Sequence, residues 1–213
     1  MNYYPLISII IPCFNAEKTL ANTLAQIYNQ TYRNIEIIAV NDGSIDTTSH
    51  ILNQHKDKIK IFKQEHRGAS AARNLGFKHS HGEFVLFCDA DVIMDKQMIN
   101  KMIDKLLRNP GKAYCYSNFK FGLHSFDLFP FDGKRLIKEN YISTMSLIRR
   151  SKFIGFDESL KRFQDWDLWK RMLAKGDEGI WYPERLFEAP LNNKGISKFN
   201  VKNIIKLIKR QLK

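Results

Sequence analysis

Strand-like and helix-like segments alternate through the first half of this 213-residue chain, and such alternation implies parallel strands joined by right-handed crossover helices. The expected architecture is therefore α/β and Rossmann-like: a mixed, mostly parallel central sheet with helices on both faces. A second observation agrees. Three apolar runs end in polar clusters, Pro12-Cys13-Phe14-Asn15, Asn41-Asp42-Gly43-Ser44 and Asp89-Ala90-Asp91. In open α/β sheets, ligands bind outside the carboxyl ends of the strands.

The elements follow in order. Residues 6–11 read as a first strand ended by Pro12, and 17–28 as a helix. Residues 35–40 are a strand, and 46–54 a helix with Asp46 placed to cap it. A short strand at 59–63 and a helix at 69–79 come next. The run 84–88, aromatic and β-branched after Gly82, reads as a buried strand. A helix over 96–108 is stopped by Asn109-Pro110-Gly111. Beyond 113 the rhythm changes. Residues 114–121 and 143–149 read as strands separated by aromatic residues, 163–174 as a helix, and 180–187 as a last strand.

With 44% hydrophobic and 26% charged residues, the composition is that of an ordinary globular protein. A chain this long buries about 70% of its extended surface. Its apolar runs fall well short of the roughly 18 residues a membrane span needs. The start, interrupted at Pro12, does not read as a signal peptide. Cys13, Cys88 and Cys115 are odd in number and scattered, as reduced, buried cysteines of a cytoplasmic protein would be. Six of the twelve excess positive charges stand in the last sixteen positions, from Lys198 to Lys213. The basicity therefore describes a tail rather than a groove, and no nucleic-acid partner is expected.

Residues two apart on a strand share a face, so Asp89 and Asp91 at the end of one present two carboxylates on one side, with Ala90 between. Such hard oxygen ligands suit Mg²⁺ or Mn²⁺, which keep waters and bind through one or two carboxylates plus substrate phosphates. Taken alone, Asp-x-Asp is equally a turn or a helix cap.

Five stretches together carry a resemblance: Ser8 to Asn15, Val40 to Asp46, Gly68 to Gly76, Phe87 to Asp91, and Gln164 to Trp169. In this order they resemble an inverting, nucleotide-sugar glycosyltransferase of family 2, with the GT-A fold. The resemblance covers roughly residues 6 to 190. It implies a GT-A domain over 1–197, with a nucleotide-binding half (1–112) and an acceptor-binding half (113–197). It implies donor contacts from Pro12, Phe14, Asn15, Asp42, Arg73, Asp89, Ala90 and Asp91, with Asp42 accepting the N3–H of uracil. Arg73 has two readings: a contact to base or phosphate, or a structural tie to the acidic crevice. Asp91 would hold Mn²⁺ or Mg²⁺ against the departing nucleoside diphosphate, with Asp89 on the ribose or on the metal's water shell. Asp165 would be the general base that takes the acceptor proton. Asp167, two residues on, points elsewhere on a helix and is expected to bind structure. Trp166 and Trp169 are read as core rather than as sugar-stacking residues.

Two departures from the family pattern stand out. Gln164 replaces the usual Glu before the catalytic Asp, and the stretch 192–197 has no His, leaving Lys194 as a diphosphate contact or a solvated charge. At 198–213 Val201, Ile204, Ile205, Ile208 and Leu212 oppose Lys202, Lys206, Lys209 and Lys213, a basic amphipathic helix. It suits peripheral contact with an anionic leaflet, or it covers an apolar groove of its own domain. The aromatics of 118–141 suit an acceptor platform or lid, or packing on the sheet. The expected partners are a UDP-sugar donor and a glycan or lipid-linked saccharide acceptor. A nucleotidyltransferase and an inactive nucleotide-sugar-binding protein are the alternatives.

Overall fold

In the computed structural model, residues 4–190 are described, so the expectations for 192–197 and for the basic helix at 198–213 lie outside the described residues. The chain builds β1 (Ile7–Cys13), α1 (Leu20–Tyr28), β2 (Ile35–Asp42), α2 (Thr48–Gln54), β3 (Lys60–Gln64), α3 (Ala69–Lys78) and β4 (Phe84–Phe87). It continues with β5 (Ile93–Met94), α4 (Met98–Leu107), β6 (Tyr114–Phe121), β7 (His124–Phe126), α5 (Gly133–Lys138) and β8 (Leu147–Arg149). A short 3-10 turn at Arg150–Lys152, α6 (Gln164–Ala174) and β9 (Gly179–Ala189) follow.

The strands make one sheet in the order β3-β2-β1-β4-β8-β6-β9-β5, with β7 on β6. The strands β1 to β4 are parallel, as alternation demands. β8 enters antiparallel between β4 and β6, and one sheet thus runs through both halves of the chain. Alternation along β1 divides the core. Ile7, Ile9 and Ile11 face α1, α2 and α4, with Leu24, Leu52 and Met102. Ile10 faces α3, α5 and α6, with Ala72, Leu136 and Trp169. Helices therefore cover both faces, each side chain obeying the two-residue repeat of the pleat.

Close approach decides one glycine here. A Cβ on Gly76 of α3 would collide with the Ile10 side chain, so α3 lies against β1 only because position 76 is bare.

Four expectations are corrected. Pro12 does not end β1, since it pairs in register with Val40 and the strand runs to Cys13. The ladder to β4 stops at Ile10–Phe87, so the N–H that proline lacks is not needed on that side. The second strand of the later half shrinks from 143–149 to Leu147–Arg149. Ser146 Oγ donates to Ser143 O (2.7 Å) and Ser143 Oγ accepts from Met145 N (3.2 Å), local bonds that compete with a ladder. α2 starts at Thr48 rather than Asp46, yet Asp46 Oδ1 accepts from Thr48 N (2.9 Å). Asp89 and Asp91 stand in the turn after β4, not on the strand itself. The three cysteines are buried and unbridged.

Candidate active site

The crevice lies over the carboxyl ends of β1, β2, β3 and β4. Its first wall is a zipper between two loops. Asn15 N donates to Ser44 Oγ (3.0 Å) and Ile45 N to Asn15 Oδ1 (3.0 Å). Ala16 N donates to Thr48 Oγ1 (2.8 Å), and Glu17 Oε2 accepts from Thr47 Oγ1 (2.9 Å). Gly43 turns the chain at φ 74°, where a Cβ would press on His66.

Asp42, at the end of β2, is buried and fully engaged. Oδ1 accepts from Gln64 Nε2 (2.6 Å) and Arg67 N (2.9 Å), and Oδ2 from Gly68 N (2.9 Å), with His66 Nδ1 also at 2.9 Å. A carboxylate has about four lone-pair sites, and the end of β3 with the β3–α3 loop fills three of them, while His66 Nδ1 also lies 3.1 Å from the Asp42 carbonyl oxygen. His66 stacks on half-exposed Phe14 with ring centroids 3.9 Å apart. Phe14, Asn15 and Asp42 are thereby brought to one end of the crevice.

The other end is ionic. Arg73, on the first turns of α3, is buried, and its Nη2 lies 2.6 Å from Asp89 Oδ1. The guanidinium lies 5.4 Å from the Phe156 ring centroid, and its Nε, also buried, has no hydrogen-bond partner among the described residues. The structural tie read for Arg73 is thus present. Asp91 is half-buried two residues on from Asp89 in the same turn, with Ala90 between them.

Asp165 opens α6 from the opposite side. Its Oδ1 accepts from Trp166 N (2.8 Å) and Asn140 Nδ2 (3.1 Å). Burial pushes its carboxyl up. The Trp166 N–H, the positive charge of Arg73 and the Asn140 amide offset this only in part, while Asp89 adds to it. Asp165, Arg73 and Asp89, from three separate elements, therefore share one electrostatic field. Two non-glycine residues with positive φ among those described border this crevice, Asn15 (48°) and Phe163 (58°). Asn tolerates that region, but a Phe held there stores strain of the kind that collects at functional sites.

The neighbours of Asp165 are structural. Asp167 Oδ2 accepts from Arg171 Nε (2.7 Å). Trp166 Nε1 donates to Leu136 O (2.6 Å), and Trp169, fully buried against Tyr114, donates to Ile142 O (2.9 Å). Gln164 is turned back onto Leu160 O (3.0 Å). In the aromatic segment, Phe119 stacks on Phe126 and Phe187 (4.7 and 5.1 Å), the packing alternative.

Sequence reasoning missed Gln64, His66, Arg67 and Asn140. The strand-end rule that found Asp42 applies equally to β3, whose end is Gln64, so that signal was available. Asn140 carried none, because it stands on a loop 25 residues from its partner.

The profile of glycosyl transferase family 2 matches residues 8–159. The chain belongs to that family. This glycosyltransferase-family chain is 33% identical over 218 residues to an uncharacterized glycosyltransferase of Rickettsia typhi, covering 92% of this chain and 68% of the relative. It is also 33% identical, over 117 residues, to the Escherichia coli UDP-Glc:alpha-D-GlcNAc-diphosphoundecaprenol beta-1,3-glucosyltransferase WfgD, covering 54% of this chain and 46% of that one. Among solved structures, residues 1–349 of S. aureus TarS in complex with UDP-GlcNAc superpose with a TM-score of 0.75 at 21% identity, over 90% of this chain and 60% of that one. The mannosyltransferase PcManGT of Pyrobaculum calidifontis, in complex with GDP-Man and Mn²⁺, gives 0.74 at 19%, over 98% and 65%. These likenesses show the GT-A fold. Both of the solved chains are longer than the family 2 chain described here.

Proposed function

We propose that this chain transfers a hexosyl or N-acetylhexosaminyl group from a UDP-sugar to a hydroxyl of a glycan or lipid-linked saccharide, with inversion, and that Asp165 is the general base. The observation that carries the proposal is the shared field of Asp165, Arg73 and Asp89. A base must be ionised when the acceptor arrives, yet basic enough to take its proton. Burial raises the Asp165 carboxyl, and Arg73 keeps the rise in check. Asn140 and the Trp166 N–H both hold Oδ1, so Oδ2 is the oxygen assigned to the acceptor. A lipid-linked acceptor is supported by the diphosphoundecaprenol named for WfgD. The place of action would be the cytoplasmic side of a membrane. Among the described residues no helix is long and apolar enough to cross one.

In this reading residues 1–112 hold the donor and 113–197 the acceptor. Pro12, Phe14 and Asn15 line the base end. Uracil N3–H is a donor, as is the Gln64 amide now 2.6 Å from Asp42 Oδ1. Replacing one donor by the other leaves the buried carboxylate satisfied, and Gln64 is the flexible partner able to yield.

Two carboxylates in one turn, half-exposed at the sheet rim, fit a divalent ion that takes its other ligands from water and diphosphate. Asp89 and Asp91 would hold it. No group of three or more His, Cys, Asp or Glu gathers to hold a metal among the described residues. Bound there, Mn²⁺ or Mg²⁺ would supply Lewis-acid stabilisation of the leaving diphosphate.

A thermal-shift series with UDP-, GDP-, CMP- and dTDP-sugars, with and without Mn²⁺, tests this reading. Stabilisation by the UDP compounds that depends on metal is expected. A preference for GDP or CMP would defeat the Asp42 assignment.

A further inference from the structure

The segment between Phe153 and Phe163, which delivers Asp165 to the crevice, has no strand or helix of its own. Side chains from two helices hold it instead. Asn74 of α3 pairs with the Phe156 backbone in both directions: Nδ2 donates to Phe156 O (2.9 Å) and Oδ1 accepts from Phe156 N (2.9 Å). Arg171 of α6 donates to Gly155 O (2.8 Å). Glu158 then closes the arrangement, with Oε1 accepting from Asn74 Nδ2 (3.0 Å) and Oε2 from Arg67 Nη2 (2.8 Å). Arg67 is the residue whose backbone N–H holds Asp42. One loop, 64–68, therefore touches both the base-end carboxylate and the segment that leads to Asp165.

We infer that Glu158, clasped between Arg67 and Asn74, is a positioning residue that couples donor engagement at Asp42 to the placement of Asp165. An exposed ion pair contributes little to stability, and both the Arg67 and Glu158 side chains are substantially exposed, at 64% and 39%. Its consequence is therefore placement rather than folding. The geometry supports this because Glu158 lies seven residues before Asp165, and Asn74 stands directly after Arg73 on α3, so the site cation and the clasp move on one helix. When a donor takes the place of the Gln64 side chain at Asp42, Arg67 N and Gly68 N keep their bonds to the carboxylate, and the donor's added contacts tighten the loop that carries them. The Arg67–Glu158 bond passes that tightening to the α6 entrance.

The inference rests on the donor reading above, and hydrogen exchange separates the two. With UDP and Mn²⁺ added, backbone amides of 64–68 and of 155–167 are expected to exchange more slowly in the unaltered chain. In Glu158→Ala, protection is expected to persist at 64–68 and to vanish at 155–167, with Glu158→Gln intermediate because it keeps an acceptor for Asn74. In turnover of UDP-glucose or UDP-N-acetylglucosamine, Glu158→Ala is expected to lower kcat about threefold to fivefold while leaving donor KM within about twofold. Equal protection of 155–167 in Glu158→Ala and the unaltered chain would overturn the coupling. Protection of neither segment in the unaltered chain would overturn it too, by removing the donor reading beneath it.

Discussion

At the amino end of the parallel strands, Glu36 of β2 gathers Ser8 Oγ (2.6 Å), Lys60 Nζ (2.9 Å), Gly82 N (3.1 Å) and His81 N. Burial pushes this carboxyl up, but the bonds from Ser8, Lys60 and His81 more than reverse that and hold it at about 2. At the carboxyl end Asp165 receives two bonds on one oxygen, and its carboxyl is left above its ordinary range. Both acids are partly buried in one α/β framework. The first is satisfied and contributes stability. The second is under-solvated, beside an arginine with a spare N–H, and its ionised form is a cost. Hydrogen bonds to the charged form depress the first carboxyl, and burial with too few such bonds raises the second.

The largest break in this comparison is Asp165→Asn. Turnover of the UDP-sugar is expected to fall by about 10²–10⁴-fold while UDP binding stays within about twofold. A raised folded-state value means that ionisation opposes folding, a cost that grows as pH rises through the ordinary Asp value and is complete above the raised one. Removing the charge should therefore leave the melting temperature at pH 7 equal or higher. Unchanged turnover would end the base assignment.

Arg73→Met comes next. It removes the charge-assisted bond to Asp89 and the cation that restrains Asp165, and a loss of about 10–100-fold in kcat/KM is expected. The acidic limb of the rate profile should move to higher pH, because the Asp165 carboxyl would rise further. An unmoved limb would separate Arg73 from the base.

Glu36→Gln sharpens the opposite end. The loss of its charge-assisted bonds is expected to cost about 2 kcal/mol, or roughly 4–8 °C in melting temperature for a chain of this size. Donor binding should not change. In the unaltered chain, this contribution is present above the ordinary Glu value of 4.5 and is lost as pH falls toward about 2. Glu36→Gln should flatten the acid limb of stability between those values. The smallest effect is assigned to Arg108→Ala, whose i,i+4 pair with Asp104 is exposed on both sides. A change under about 0.5 kcal/mol by denaturant unfolding is expected; a larger loss would give this exposed pair a share in stability that its exposure argues against.

Local periodicity determined much of this protein. The strand and helix alternation, the apolar cores of β1, β2 and β4, and the clustering of Phe14, Asn15, Asp42 and Asp89 at strand ends are all readable from sequence. Each depends on residues a few positions apart, as does the placing of Asp167, Trp166 and Trp169 in structural roles. Only the tertiary structure decided that β8 enters between β4 and β6, that Arg73 meets Asp89, that Asn140 meets Asp165, and that Glu158 meets Arg67 and Asn74. Those contacts join residues 16 to 91 positions apart. Hydrogen bonds and desolvation at that range depend on which surfaces the packed sheet and helices bring together, and no repeat along the chain encodes that.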